Sequence, residues 1–165
     1  MCELLIIRHA VAHERDASAW PNDELRPLTA EGSDKFRKAA RGLARVADVP
    51  EELLCSPLVR ARQTAAILER EAAFPRALEL DVLRPGTAIS VLVRALHERR
   101  SASIAIVGHE PDLGQLLASL LGGPVVPLKK GAVAQLAFEQ RVEEGAGQLL
   151  ALLPPRVLRA LARKG

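Results

Sequence analysis

The sequence has no tyrosine, a single tryptophan and three phenylalanines among its 165 residues. Its basic residues form no stripe either, because 23 Lys and Arg face 20 Asp and Glu along the whole length, for a net charge of +3. Nucleic-acid binding draws on stacking rings and a basic footprint, so the expected partners include no nucleic acid. The two cysteines, Cys2 and Cys55, cannot make a disulfide framework and have no Cys or His neighbours of the kind a zinc site uses. No apolar run approaches the roughly 18 residues of a membrane span. The apolar stretch near the amino terminus is Leu4-Leu5-Ile6-Ile7 and closes on Arg8, unlike a secretory signal. What remains is 48% apolar and 26% charged, enough for one domain with a proper core and short for two. The expectation is one cytoplasmic domain over residues 1–165, without metal, cofactor or membrane contact; its oligomeric state is open, and a monomer fits.

Against these absences stands Leu4-Leu5-Ile6-Ile7-Arg8-His9-Ala10. Four large apolar residues in succession predict a strand buried on both faces, and the run ends on an arginine and a histidine. Ligands of open α/β sheets bind beyond the carboxyl ends of the strands. A neutral imidazole beside a fixed guanidinium is suited to attack a phosphoryl group that the guanidinium holds. His9 is therefore the candidate nucleophile of a phosphatase.

Residues 11–28 mix charge, Trp20, Pro21 and Pro27 without a period and predict a long loop leaving directly from His9, of a length that is usually functional. Thr29 is placed to cap a helix from Ala30, and Glu52 to Cys55 reads as a second strand. Ser56-Pro57 reads as a cap and first helical position, followed by a helix carrying Arg60. Ala77 to Leu83 reads as a third strand, and Thr87 as the cap of a helix with Ile89, Leu92, Val93 and Leu96 inside. Ile104-Ala105-Ile106-Val107 is a second buried strand, ending in Gly108-His109, with a helix from Pro111. Two amphipathic strands, Ala132 to Phe138 and Gln148 to Leu153, and a basic helix from Arg156 to Lys164 complete the chain. Alternating strands and helices predict an α/β fold, a largely parallel central sheet with helices on both faces.

Both Arg8-His9 and His109 follow buried strands, so both imidazoles arrive at one sheet edge. Arg60, one turn into its helix, can lean back over the strand end that precedes it. Arg8, Arg60 and His109 would thus bind a tetrahedral dianion in front of His9. Arg62 fits a surface salt bridge, His13 a loop position or the pocket rim, and His97 a solvated helix face.

The chain resembles the histidine phosphatase superfamily, also called phosphoglycerate-mutase-like, and within it the SixA-type phosphohistidine phosphatases. The resemblance rests on Ile7-Arg8-His9-Ala10, Arg26-Pro27-Leu28-Thr29 with Gly32, Ser56-Pro57-Leu58-Val59-Arg60-Ala61-Arg62-Gln63-Thr64-Ala65, Val107-Gly108-His109-Glu110-Pro111-Asp112-Leu113 and Leu128-Lys129-Lys130-Gly131-Ala132. It implies a phosphoglycerate-mutase-like fold and phosphorylation of His9. It also implies phosphoryl oxygens held by Arg8 and Arg60, a pocket completed by His109, and no metal. The spare ring nitrogen of His9 should then donate to a backbone carbonyl, leaving the attacking nitrogen unprotonated.

One departure bears on substrate. Mutases and many sugar phosphatases carry a leaving-group acid in a Leu-x-Glu pattern, where this chain has Leu83-Arg84-Pro85. An alkoxide needs that proton, whereas the imidazole of phosphohistidine departs as a neutral ring. The expected partner is therefore a protein carrying phosphohistidine, as in signal transduction. A small phosphorylated metabolite is the alternative substrate, with Glu79, Asp81 or Glu110 as replacement acid. A catalytically silent phosphate- or phosphoprotein-binding module is a further alternative. A cysteine phosphatase is not supported, since Cys55 and Arg60 enclose four residues rather than the five its loop requires.

Overall fold

The computed structural model describes residues 1–163. Its six strands are β1 (Cys2–Arg8), β2 (Glu52–Cys55), β3 (Leu78–Glu79), β4 (Ser103–Gly108), β5 (Val133–Phe138) and β6 (Gln148–Leu153), ordered β3-β2-β4-β1-β5-β6 across one sheet. The β3, β2, β4 and β1 strands run parallel, while β5 and β6 add an antiparallel edge. This is the largely parallel sheet expected.

Successive side chains alternate across the pleat, so the apolar run of β1 supplies two cores. Leu5 and Ile7 pack with α1 (Ala30–Leu43), α2 (Val59–Glu71) and α5 (Pro155–Leu161) on one face. Leu4 and Ile6 pack with α3 (Ile89–His97) and α4 (Asp112–Leu121) on the other. Every large side chain of Leu4, Ile6, Ile7, Ile104 and Ile106 is fully buried, which is why these strands read as unbroken apolar runs. Close helix packing at the back of the molecule depends on Gly42, whose Cβ, were there one, would run into the Leu158 carbonyl of α5.

Several element boundaries differ from expectation for local reasons. Thr29 caps α1 as expected, accepting from the Gly32 amide. Ser56 does not cap α2: the helix starts at Val59, and the Ser56 hydroxyl accepts the Leu58 amide at 3.3 Å instead. The third strand stops after Glu79, where it runs past the end of β2, and the chain tightens into a 3-10 turn over Asp81–Leu83 that buries Leu83. Thr87 donates to the Arg84 carbonyl, so Ala88 is the cap of α3. The final helix ends at Leu161; Lys164, to which it was expected to extend, lies outside the described residues.

Candidate active site

The register of the parallel strands sets the site. Arg8 lies opposite Gly108, and Cys55 opposite Val107. The next residues, His9, His109 and Ser56, therefore leave the sheet at one level and on one edge. The two imidazoles come to rest with ring centroids 5.2 Å apart, tilted by 53°.

Each ring is held by one nitrogen. His9 Nδ1 lies 2.7 Å from the Ala10 carbonyl, an acceptor only, so Nδ1 carries the proton and Nε2 keeps its lone pair. His109 Nε2 lies 2.8 Å from the Ser56 hydroxyl. That hydroxyl accepts from Leu58 and can donate its proton to Nε2, which leaves the Nδ1–H of His109 without a protein acceptor among the described residues. Both rings are buried, and burial before all else pushes their pKa down to about 3. The neighbouring Arg8 and Arg60 lower both further, while the Ala10 hydrogen bond works the other way on His9. Near neutral pH both imidazoles are uncharged.

The backbone around His9 is fixed from three elements. The Thr64 hydroxyl on α2 accepts the Ala10 amide at 3.0 Å and donates to the Arg60 carbonyl at 2.8 Å. The His9 amide donates to the Gly108 carbonyl on β4. Gly131 approaches with φ of +78°, a conformation that favours glycine, and its amide reaches the Arg8 and His9 carbonyls, each at 3.1 Å.

The guanidinium groups are held from behind. Arg8 donates through Nη1 to the Leu128 carbonyl at 2.8 Å. Arg60 is buried, and its Nη1 donates to the Asp23 carbonyl at 2.9 Å while Nη2 lies 3.1 Å from the Asp23 carboxylate. The same carboxylate takes Arg26 Nε at 2.7 Å, and Arg26 Nη1 donates to the His13 carbonyl. These contacts hold the loop of residues 11–28 over the pocket.

Three buried side-chain polar atoms among the described residues have no hydrogen-bond partner: Arg8 Nε, Arg60 Nε and His109 Nδ1. Leaving a buried donor unpaired costs about 1–3 kcal/mol. All three belong to residues lining one cavity of about 360 Å³, together with His9. Arg15, Arg26 and Lys130 add positive charge to its wall, against the carboxylates of Glu14 and Glu110. Such a chamber suits a compact anion that takes donors from several sides.

Arg8, His9, Arg60 and His109 thus lie together in one cavity. His13 belongs to the loop and also to the cavity rim, where it packs on Trp20 at 5.7 Å. Arg62 pairs with Glu79 on the surface, 3.5 Å apart. His97 is exposed and bonds the Val142 carbonyl. Of the three carboxylates named as replacement acids, Glu110 alone lines the cavity; Glu79 faces Arg62 and Asp81 pairs with Arg84. Pro85 also lies in the cavity wall. Sequence reasoning missed Asp23, Thr64 and the site role of Ser56, since a carboxylate in a loop and hydroxyls near a helix start are common. Cys55 is buried, which raises its thiol to about 11, so no thiolate competes as nucleophile. Among the described residues no cluster of His, Cys, Asp and Glu is arranged to hold a metal ion.

The family model of the histidine phosphatase superfamily (branch 1) matches residues 4–83. Over 143 residues the chain is 32% identical to the phosphohistidine phosphatase SixA of Escherichia coli (strain K12), covering 84% of this chain and 86% of that protein. An uncharacterized protein of Picosynechococcus sp. is 32% identical over 140 residues, 81% of this chain and 84% of its own length. The solved structure of the protein histidine phosphatase SixA complexed with tungstate matches with a TM-score of 0.81 and 28% identity, over 94% of this chain and 99% of the other.

Proposed function

Because the chain belongs to the histidine phosphatase superfamily, in its SixA-type branch, we propose that it hydrolyses protein-bound phosphohistidine through a phosphoryl intermediate on His9. The observation that carries this reading is that Arg8, His9, Arg60 and His109 line one cavity, with the two guanidinium groups held from behind at the Leu128 and Asp23 carbonyls. A transferring phosphoryl group spreads negative charge over three oxygens, and fixed donors stabilise it without reorganising. The SixA structure binds tungstate, a tetrahedral oxyanion of comparable geometry.

In the first step the lone pair of His9 Nε2 attacks phosphorus, and the bond from phosphorus to the substrate nitrogen breaks. The substrate ring, protonated on its other nitrogen, departs as neutral imidazole, so no general acid is spent on it. In the second step water attacks the phosphoryl group on His9. The bond to Nε2 breaks, the phosphate carries off both water protons as dihydrogen phosphate, and His9 returns to its starting form. One hydrogen bond, from Nδ1 to the Ala10 carbonyl, serves both steps: it keeps Nε2 a base before attack and makes His9 a neutral leaving group afterwards.

Substrate class follows from the missing acid. Pro85 stands in the wall in place of a carboxylate, and the cavity carboxylate Glu110 is committed to the Leu128 amide at 2.9 Å. A phosphoester, whose alkoxide needs a proton, is the poorer fit. One domain over residues 1–165, acting in the cytoplasm without a cofactor, would carry the reaction.

The test compares turnover of a phosphohistidine-bearing protein with that of a simple phosphomonoester, for wild type and His9→Ala, in the presence of a chelator. The reading expects the phosphohistidine substrate to be cleared faster and His9→Ala to be inactive. A monoester turned over faster would move the substrate class to small metabolites, with Glu110 as acid. Inert behaviour toward both would leave a binding module.

A further inference from the structure

A second, shallower groove of about 190 Å³ runs beside the phosphoryl pocket, between the start of α1 and the start of α5. Its floor is apolar, formed by the buried Ala10, Phe36 and Ala39 with Pro155 at one end. Its rim carries three cations, Lys35, Lys130 and Arg159, and no acidic side chain lines it. Lys130 lines both this groove and the phosphoryl pocket, so the two adjoin at that side chain.

The charge at the rim is available to a partner. Lys130 and Arg159 make no ion pair or hydrogen bond within the described chain, although both are half-buried. Lys35 pairs with Glu31 at 2.5 Å, but both side chains are largely exposed, and an exposed pair of this kind is readily exchanged for another. The mechanism uses neither Lys35 nor Arg159. An apolar floor rimmed by cations next to a phosphoryl-transfer pocket is complementary to polypeptide that is acidic and partly apolar, entering beside its phosphorylated side chain.

We propose that this groove docks an acidic segment flanking the phosphohistidine of the protein substrate, with Lys35 and Arg159 selecting for it and Lys130 joining docking site to pocket. The proposal rests on the phosphohistidine reading of the site and deepens it, because it assigns recognition of the carrier protein to residues outside the chemistry. Charge on such a rim governs encounter and is screened by salt.

Binding is measured with two synthetic peptides that carry a stable phosphohistidine analogue, one flanked by Asp and Glu and the other by Asn and Gln. Wild type is expected to bind the acidic peptide at least about tenfold more tightly at low salt, with the difference shrinking as salt rises. The double variant Lys35→Glu/Arg159→Glu is expected to bind both peptides alike, and Lys35→Ala/Arg159→Ala to fall between. Turnover of free phosphohistidine by these variants reports that the fold and pocket are intact. Equal binding of the two peptides by wild type, or an acidic preference that survives charge reversal, would overturn the proposal. If wild type fails to hydrolyse a phosphohistidine-bearing protein, the phosphatase reading fails instead, and the peptide comparison still decides the groove.

Discussion

The Thr64 hydroxyl accepts the Ala10 amide at 3.0 Å, tying α2 to the residue whose carbonyl sets the tautomer of His9. Thr64 also donates to the Arg60 carbonyl, so one buried hydroxyl links the backbone behind His9 to that of Arg60. Thr64→Val keeps the shape and removes the acceptor. It is expected to cost about 1–3 kcal/mol of stability, the usual penalty for a buried amide left unpaired, and to lower kcat as the Ala10 carbonyl loses its position. Denaturant unfolding and steady-state kinetics check the two parts separately.

Arg60→Lys preserves charge but loses the planar fork that meets both Asp23 groups while lining the cavity. The variant is expected to lose about 10²–10³ in kcat/KM, the magnitude typical of removing one preorganised donor. Activity within about threefold of wild type would show that point charge suffices there.

Both site histidines titrate far below an exposed histidine, at about 3 against an ordinary 6.5. Between those values the unfolded chain binds protons that the folded chain refuses, so stability rises with pH through that window. Above about pH 6.5 the effect is complete; on acidification each ring removes up to about 1.4 kcal/mol per pH unit. The variant His109→Gln should flatten part of that slope, as read from urea unfolding between pH 4 and 7, about the span of the two titrations.

At the back of the molecule, Gly42→Ala is expected to destabilise by about 1–3 kcal/mol, because its methyl group would force α5 away from α1. The melting temperature reports it, and activity per folded molecule should be unchanged.

Much of the site could be read from sequence because it grows from strand ends. The apolar runs Leu4–Ile7 and Ile104–Val107, short and rich in β-branched residues, favour buried strands, and parallel pairing then delivers His9 and His109 to one edge. Arg60 was accessible for a similar reason, being the second residue of the helix that follows β2. The supporting contacts were not legible. Asp23 reaches Arg60 across 37 residues and Thr64 reaches Ala10 across 54, and no local periodicity encodes such pairings. Ser56 was misassigned because a serine before proline fits a helix cap as well as it fits a partner for His109. The third strand is shorter than its alternating pattern predicts, since β2 offers it only Leu54 and Cys55 as partners.

The central claim is that His9 Nε2 forms the bond to phosphorus. Rapid acid-free quenching of the enzyme during turnover of labelled phosphohistidine, followed by peptide mapping, tests it directly. The account predicts an acid-labile, base-stable phosphoryl group on the peptide that contains His9, absent from His9→Ala. Label on another residue, or full turnover by His9→Ala, would contradict it.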